Sequence, residues 1–267
     1  MGPVRWEDLA WPDVGAHLGA RPNEVALIPV GATEQHGPHL PTGTDTIIAT
    51  ALCEAASERT GALVLPALPI GCSYGHGTQL PGTLSLSPEE LALMLRRSIE
   101  WASESGLSRF LVVNAHFGNQ FSLMCATDTL RHERPDLRTA VVGWWAIDPE
   151  VQAVVTADGE DVHANRAETS VMLAVAPKLV HLDRMATADD PDRTADLVFR
   201  YTATSLSTNG VTGRPSEADP ELGAWLVARS VDVLVSMIER GRAEEPPLRD
   251  HDHAAHSLSA AAVGAWR

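Results

Sequence analysis

Short apolar runs alternate with amphipathic stretches from about residue 25 to 180, and this alternation constrains the fold more than any other feature of the sequence. Four runs read as buried strands: 25–31 (VALIPVG), 63–70 (LVLPALPI), 109–114 (RFLVVN) and 139–144 (TAVVGW). Each is nearly all apolar and flanked by chain-breaking residues, the pattern of a strand covered on both faces. A layered α/β fold with a parallel or mixed sheet is therefore expected. Prolines inside the first two runs predict sheet edges, bulges or early ends, because proline cannot donate to a ladder. Helical stretches fill the gaps at 45–57, 88–104, 120–133, 168–174 and 221–240. The second has the fullest start signal, with Ser87 as N-cap, Pro88 at the first helical position, Glu90 closing a capping box and Gly106 just past the end.

The 267 residues suit one large domain, assigned to 1–245, followed by a loosely held tail at 246–267 that begins with a proline pair. Lys and Arg total 20 against 35 Asp and Glu, a formal net charge of −15, and no stretch gathers the basic residues into a face. Nucleic acid and anionic membranes are therefore not expected as partners. Hydrophobic residues at 44% and charged residues at 21% are globular values that exclude a disordered chain or a coiled coil. No run approaches the roughly 20 apolar residues of a membrane span, and the first residues lack the apolar core of a signal peptide, so a cytoplasmic location is expected. Cys53, Cys72 and Cys125 lack zinc-ribbon or CxxC spacing and read as buried small hydrophobes in a reducing compartment.

Residues able to ligate metals or move protons gather where open α/β sheets build their sites, beyond the carboxyl ends of strands. In 31–45 (GATEQHGPHLPTGTD), Glu34 and His36 are two apart, so an extended backbone turns both side chains to one face, and Asp45 opens the next helix. Asp45 also fits a helix N-cap and His36 a loop histidine. In 114–119 (NAHFGN), His116 occupies a strand-to-helix turn where Gly118 permits close backbone approach; a partly exposed loop histidine is the alternative. In 161–170 (DVHANRAETS), Glu168 lies near a helix start, where it would also favour the helix dipole. Together Glu34, His36, Asp45, His116 and Glu168 supply three carboxylates and two imidazoles, a mixture suited to Zn, Mn or Fe and too rich in nitrogen for calcium. A two-metal hydrolytic centre is the economical reading.

These segments, followed by 209–223 (NGVTGRPSEADPELG), resemble the creatininase (creatinine amidohydrolase) family, in order over about residues 25–240. The resemblance implies an α/β/α arrangement around a central, mostly parallel sheet, two divalent metal ions per subunit, hydrolysis of amide-type C–N bonds and a homohexamer. By position, Glu34 and His36 would each bind a different metal, Asp45 would bridge them and His116 would join Glu34. Creatininase itself has a metal-binding glutamate two residues after the matching histidine, where this chain has Gly118; Glu168 then takes the place of that ligand. His163 matches a histidine that the family uses near the scissile bond, which gives it proton transfer or substrate polarisation alongside Glu168.

Other departures point to the substrate pocket. NAHFGN replaces the more usual NGHGGN and sets Phe117 beside the metal, where it would narrow the pocket or stack on a substrate. In 73–83 (SYGHGTQLPGT) a glycine stands where the family often has glutamate; Tyr74 and His76 are expected at the pocket mouth, a plain glycine-rich surface loop being the alternative. Trp144 and Trp145 end a strand, so at least one is expected to face the site, with core packing as the other outcome. The expected activity is metal-dependent hydrolysis of a small-molecule amide by a water held between two metal ions. Formamide deformylation, short-peptide hydrolysis and a non-catalytic scaffold are the alternatives. His251, Asp252, His253 and His256 form a ligand-like patch in the tail that is left outside the site.

Overall fold

The computed structural model describes residues 2–248. Five strands form one sheet: β1 (Val4–Arg5), β2 (Val25–Val30), β3 (Leu63–Val64), β4 (Arg109–Asn114) and β5 (Arg138–Gly143), in the order β1-β3-β2-β4-β5. Every pairing is parallel. Successive side chains on a strand point to opposite faces, and the apolar residues divide accordingly. Ala26, Ile28, Phe110 and Val112 pack with Leu91, Leu95 and Ile99 of α3 (Pro88–Ser103) and Leu123 and Leu130 of α4 (Gln120–Glu133). Leu27, Leu111 and Val113 pack on the other face with α2 (Thr44–Thr60), α6 (Arg166–Val175) and α7 (Pro220–Ala243). Two further helices, α1 (Trp11–Ala20) and α5 (Pro149–Val155), complete the layers. Each fully buried leucine or isoleucine contributes about 1.5–3 kcal/mol, so the two apolar faces make this a three-layer α/β/α sandwich.

The sheet departs from the expected strands in two ways. The run expected at 63–70 pairs only at Leu63–Val64, with a separate bridge from Leu68 to Val30, because Pro66 and Pro69 interrupt the ladder. Of the edge, bulge or early end that Pro29 predicts, the edge does not hold, since β2 is the central strand, but β2 does end one residue later at Val30. The Pro29 carbonyl accepts from the Leu68 N–H on the β3 side, beyond the last ladder pair of Leu27 with Val64. The missing donor therefore falls where β3 has already ended. Among the cysteines, Cys53 and Cys72 are buried as expected, but Cys125 is exposed on α4, a correction that follows from its place on the helix's solvent side. Ser87 and Glu90 form the expected capping box.

Strands β2, β4 and β5 run in register, and their last pairs, Val30 with Asn114 and Asn114 with Gly143, lie at one level. The loops that follow therefore leave the sheet side by side, at the carboxyl edge where the chain crosses from one side of β2 to the other. Among the described residues no helix is long and apolar enough to cross a membrane. The expected tail falls largely outside the description, its four ligand-type residues entirely so.

Candidate metal centre

The segment after β2 brings Glu34 and His36 to the sheet edge, the first turn of α2 carries Asp45, the turn after β4 carries His116 and the first turn of α6 carries Glu168. All five are buried. Asp45 lies at the middle: its Oδ1 is 3.1 Å from His36 Nε2 and its Oδ2 is 3.5 Å from His116 Nδ1. His116 Nδ1 also lies 3.2 Å from Glu34 Oε1, and His36 Nε2 lies 3.9 Å from Glu168 Oε2.

Hydrogen bonds on the far side of each ring decide which nitrogen faces this cluster. His116 Nε2 is 3.1 Å from the Cys72 carbonyl, which only accepts, so Nε2 carries a hydrogen and Nδ1 is the nitrogen that faces Glu34 and Asp45. His36 Nδ1 is 3.3 Å from the Glu34 carbonyl, which leaves Nε2 as the nitrogen that faces Asp45 and Glu168. Such backbone acceptors are the usual partners of metal-binding histidines. The Glu168 carboxylate accepts from the Ala164 amide at 2.6 Å, and Ala164 adopts a left-handed backbone at φ 51° to supply it.

Three of the inward-facing atoms, Glu34 Oε2, His36 Nε2 and Asp45 Oδ2, are buried and make no hydrogen bond to the described residues. Orphaned buried atoms are costly without a partner, and a cation is the partner this donor set fits. Three overlapping trios come close enough to hold an ion: Glu34, His36 and Asp45; His36, His163 and Glu168; and Glu34, His76 and His163.

Charges around the cluster shift its titrations. Burial opposes the imidazolium of His36, but Asp45, Glu168 and Glu34 outweigh it and raise the pKa to about 10. His116 rises to about 9 against the same burial, through Glu34 and Asp45. Burial raises the Glu34 carboxyl, yet His116, His76 and His163 hold it well below the ordinary carboxylate range. Burial, with Asp45 and Glu34 nearby, lifts Glu168 to about 8. His163 is pushed well below the ordinary histidine value by burial and by His36 and His76, which keeps it neutral.

The cluster floors a cleft of about 890 Å³ whose lining includes His76, Phe117, Trp145 and His163. Phe117 stacks on Trp145 with ring centroids 4.0 Å apart. Trp144 is 1% exposed and packs in the core, and Tyr74 is 61% exposed and does not line the cleft. His76 stands nearer the cluster than a mouth residue, with Nε2 3.2 Å from Glu34 Oε2. Gly118 has no room for any side chain: a Cβ would lie 2.2 Å from the Cys72 carbonyl oxygen. A glutamate ligand there would need a different path for the 72–73 backbone. Two contributors escaped the sequence reading. The Ala164 amide has no side-chain signal, whereas Gln35 was legible in principle from its place between Glu34 and His36.

The fold is a parallel α/β sandwich with a buried histidine and carboxylate cluster at its carboxyl edge that could hold metal. The chain belongs to the creatininase family: the family model described as creatinine amidohydrolase matches residues 7–238. It is 36% identical over 230 residues to a mycofactocin precursor peptide peptidase of Mycobacterium ulcerans, covering 80% of this chain and 84% of that one. It is 31% identical over 257 residues to a creatinine amidohydrolase of Pseudomonas putida, covering 90% and 96%. Among solved structures, a mutant creatininase of the Zn–Zn type superposes with a TM-score of 0.80 at 30% identity, covering 91% of this chain and 99% of that chain. The protein is thus a creatininase-family amidohydrolase, an enzyme acting on carbon–nitrogen bonds.

Proposed function

We propose that the cluster is a binuclear metal centre that hydrolyses the amide bond of a small polar molecule. Glu34 and His116 would hold one divalent cation and His36 and Glu168 the other, with Asp45 able to serve both. The observation that carries this reading is Asp45, whose two oxygens turn to two different histidines. Zinc, manganese or iron bound there would supply Lewis acidity to the substrate carbonyl and to the attacking water. His163, neutral and with Nδ1 3.6 Å from Glu34 Oε1, takes a proton from the attacking water and returns it to the departing nitrogen. Phe117 and Trp145 form the apolar wall against which the substrate lies.

A short peptide is the second reading for the substrate. It is favoured by the cleft, whose volume and apolar lining exceed the needs of one small ring, and by the likeness to a precursor-peptide peptidase. From the family resemblance and the sequence, we also propose a cytoplasmic homohexamer. Paired substitutions test the assignment. Asp45→Ala removes the carboxylate between two cations and is expected to lose metal and activity together. His163→Ala is expected to keep its metal while turnover falls about 10²–10⁴-fold. Loss of metal from His163→Ala would make His163 a ligand and the proton role untenable.

A further inference from the structure

Gln35 lies between two candidate ligands, is 5% exposed, and has its side-chain amide enclosed on every side. Its Oε1 accepts from the Gly37 N–H at 3.0 Å, which fixes the orientation of the amide. Its Nε2 has three neighbours: the Gly210 carbonyl at 3.2 Å, His76 Nδ1 at 3.1 Å and His163 Nε2 at 2.8 Å. Gly210 adopts φ 85°, and a Cβ there would fall 2.0 Å from Gln35 Oε1, so the pocket around this amide requires glycine.

An amide nitrogen has two hydrogens, so one of the three contacts is not a hydrogen bond. His163 Nε2 also lies 2.8 Å from the Gln35 backbone carbonyl, which only accepts. The hydrogen of that contact therefore belongs to His163 Nε2, and the amide hydrogens go to Gly210 and His76 Nδ1. Both imidazoles are then protonated on Nε2, but they turn opposite edges to the cluster. His163 presents its bare Nδ1. His76 presents Nε2–H, 3.2 Å from Glu34 Oε2, an oxygen that forms no hydrogen bond. The ring centroids are 4.5 Å apart, and both residues line the cleft.

We infer that Gln35 is a positioning residue that makes His76 a hydrogen-bond donor to the substrate's carbonyl oxygen and His163 the acceptor beside it, so that His76 is not a metal ligand. The inference rests on the hydrolytic reading of the cleft. It excludes the ion position that the spacing of Glu34, His76 and His163 would otherwise allow. A donor aimed where negative charge develops is worth about 10²–10³-fold in kcat.

Ring-¹⁵N histidine labelling, with the His76 signals assigned by their loss in His76→Gln, reads the tautomer directly. His76 is expected with Nε2 protonated in the parent enzyme and with Nδ1 protonated in Gln35→Glu, where the donor has become an acceptor. In turnover, His76→Leu is expected to lose about 10²–10³-fold in kcat with metal content unchanged, and His76→Gln, which keeps an N–H donor, to recover part of that loss. An Nδ1-protonated His76 in the parent overturns the inference. So does loss of a metal ion from either His76 variant, or equal activity of the two. A parent enzyme that binds no metal contradicts the binuclear reading instead, and leaves the tautomer measurement standing as its own test.

Discussion

His36 and His116 use the same nitrogens to bind protons and to face the cation positions. Their pKa values in the metal-free fold, about 10 and about 9, lie above the ordinary 6.5, so the folded state holds these protons more tightly than the unfolded chain. Stability from that source is complete below pH 6.5 and is lost as pH rises through 9 to 10. Cation binding requires bare imidazoles, so metal affinity rises over the same interval, and metal uptake at neutral pH releases protons. Thermal unfolding of chelator-stripped and metal-loaded protein between pH 6.5 and 10 is expected to show the gap between the two widening with pH. A constant gap would mean that these imidazoles do not exchange protons for metal. The ligand-type residues themselves were legible from sequence, because Glu34, His36 and His116 follow apolar strands and a strand end points to a site. What each nitrogen does was not legible, since it depends on carbonyls such as that of Cys72, 44 residues from His116.

At the scale of elements, legibility followed burial. Helix α4 and strand β4 match their expected limits because continuous apolar patterning marks both ends. Helix α1 escaped notice because Val14 is its only buried residue and it contains Pro12, Gly15 and Gly19. The two-residue strand β1 is too short to carry a pattern. Pro29 is tolerated in a central strand because β3 stops early on the side where its donor is missing. The capping box of α3 gives a quantitative test: Ser87 Oγ accepts from the Glu90 N–H at 3.2 Å, and the Glu90 carboxylate accepts from the Ser87 N–H at 2.7 Å. Ser87→Ala is expected to cost about 1 kcal/mol in urea unfolding, and Ser87→Asp to restore most of it. Equal stability of all three proteins would show that the helix start is held by packing alone.

For the whole molecule, a charge of −15 favours solubility, while apolar side chains beside the cleft favour assembly. Leu197, Val198, Phe199 and Tyr201 are all at least 45% exposed, and Leu197, Phe199 and Tyr201 also line the cleft. Light scattering at micromolar concentration is expected to give a hexamer, and charged substitutions at Val198 and Phe199 to dissociate it; a monomeric parent would contradict the assembly. The central claim is that the buried cluster holds two cations around Asp45. Elemental analysis of the protein after equilibration with zinc or manganese and removal of free metal tests it most directly. The account predicts two divalent ions per chain, falling to one or none in Asp45→Ala; a folded parent enzyme that retains one ion or none would contradict it.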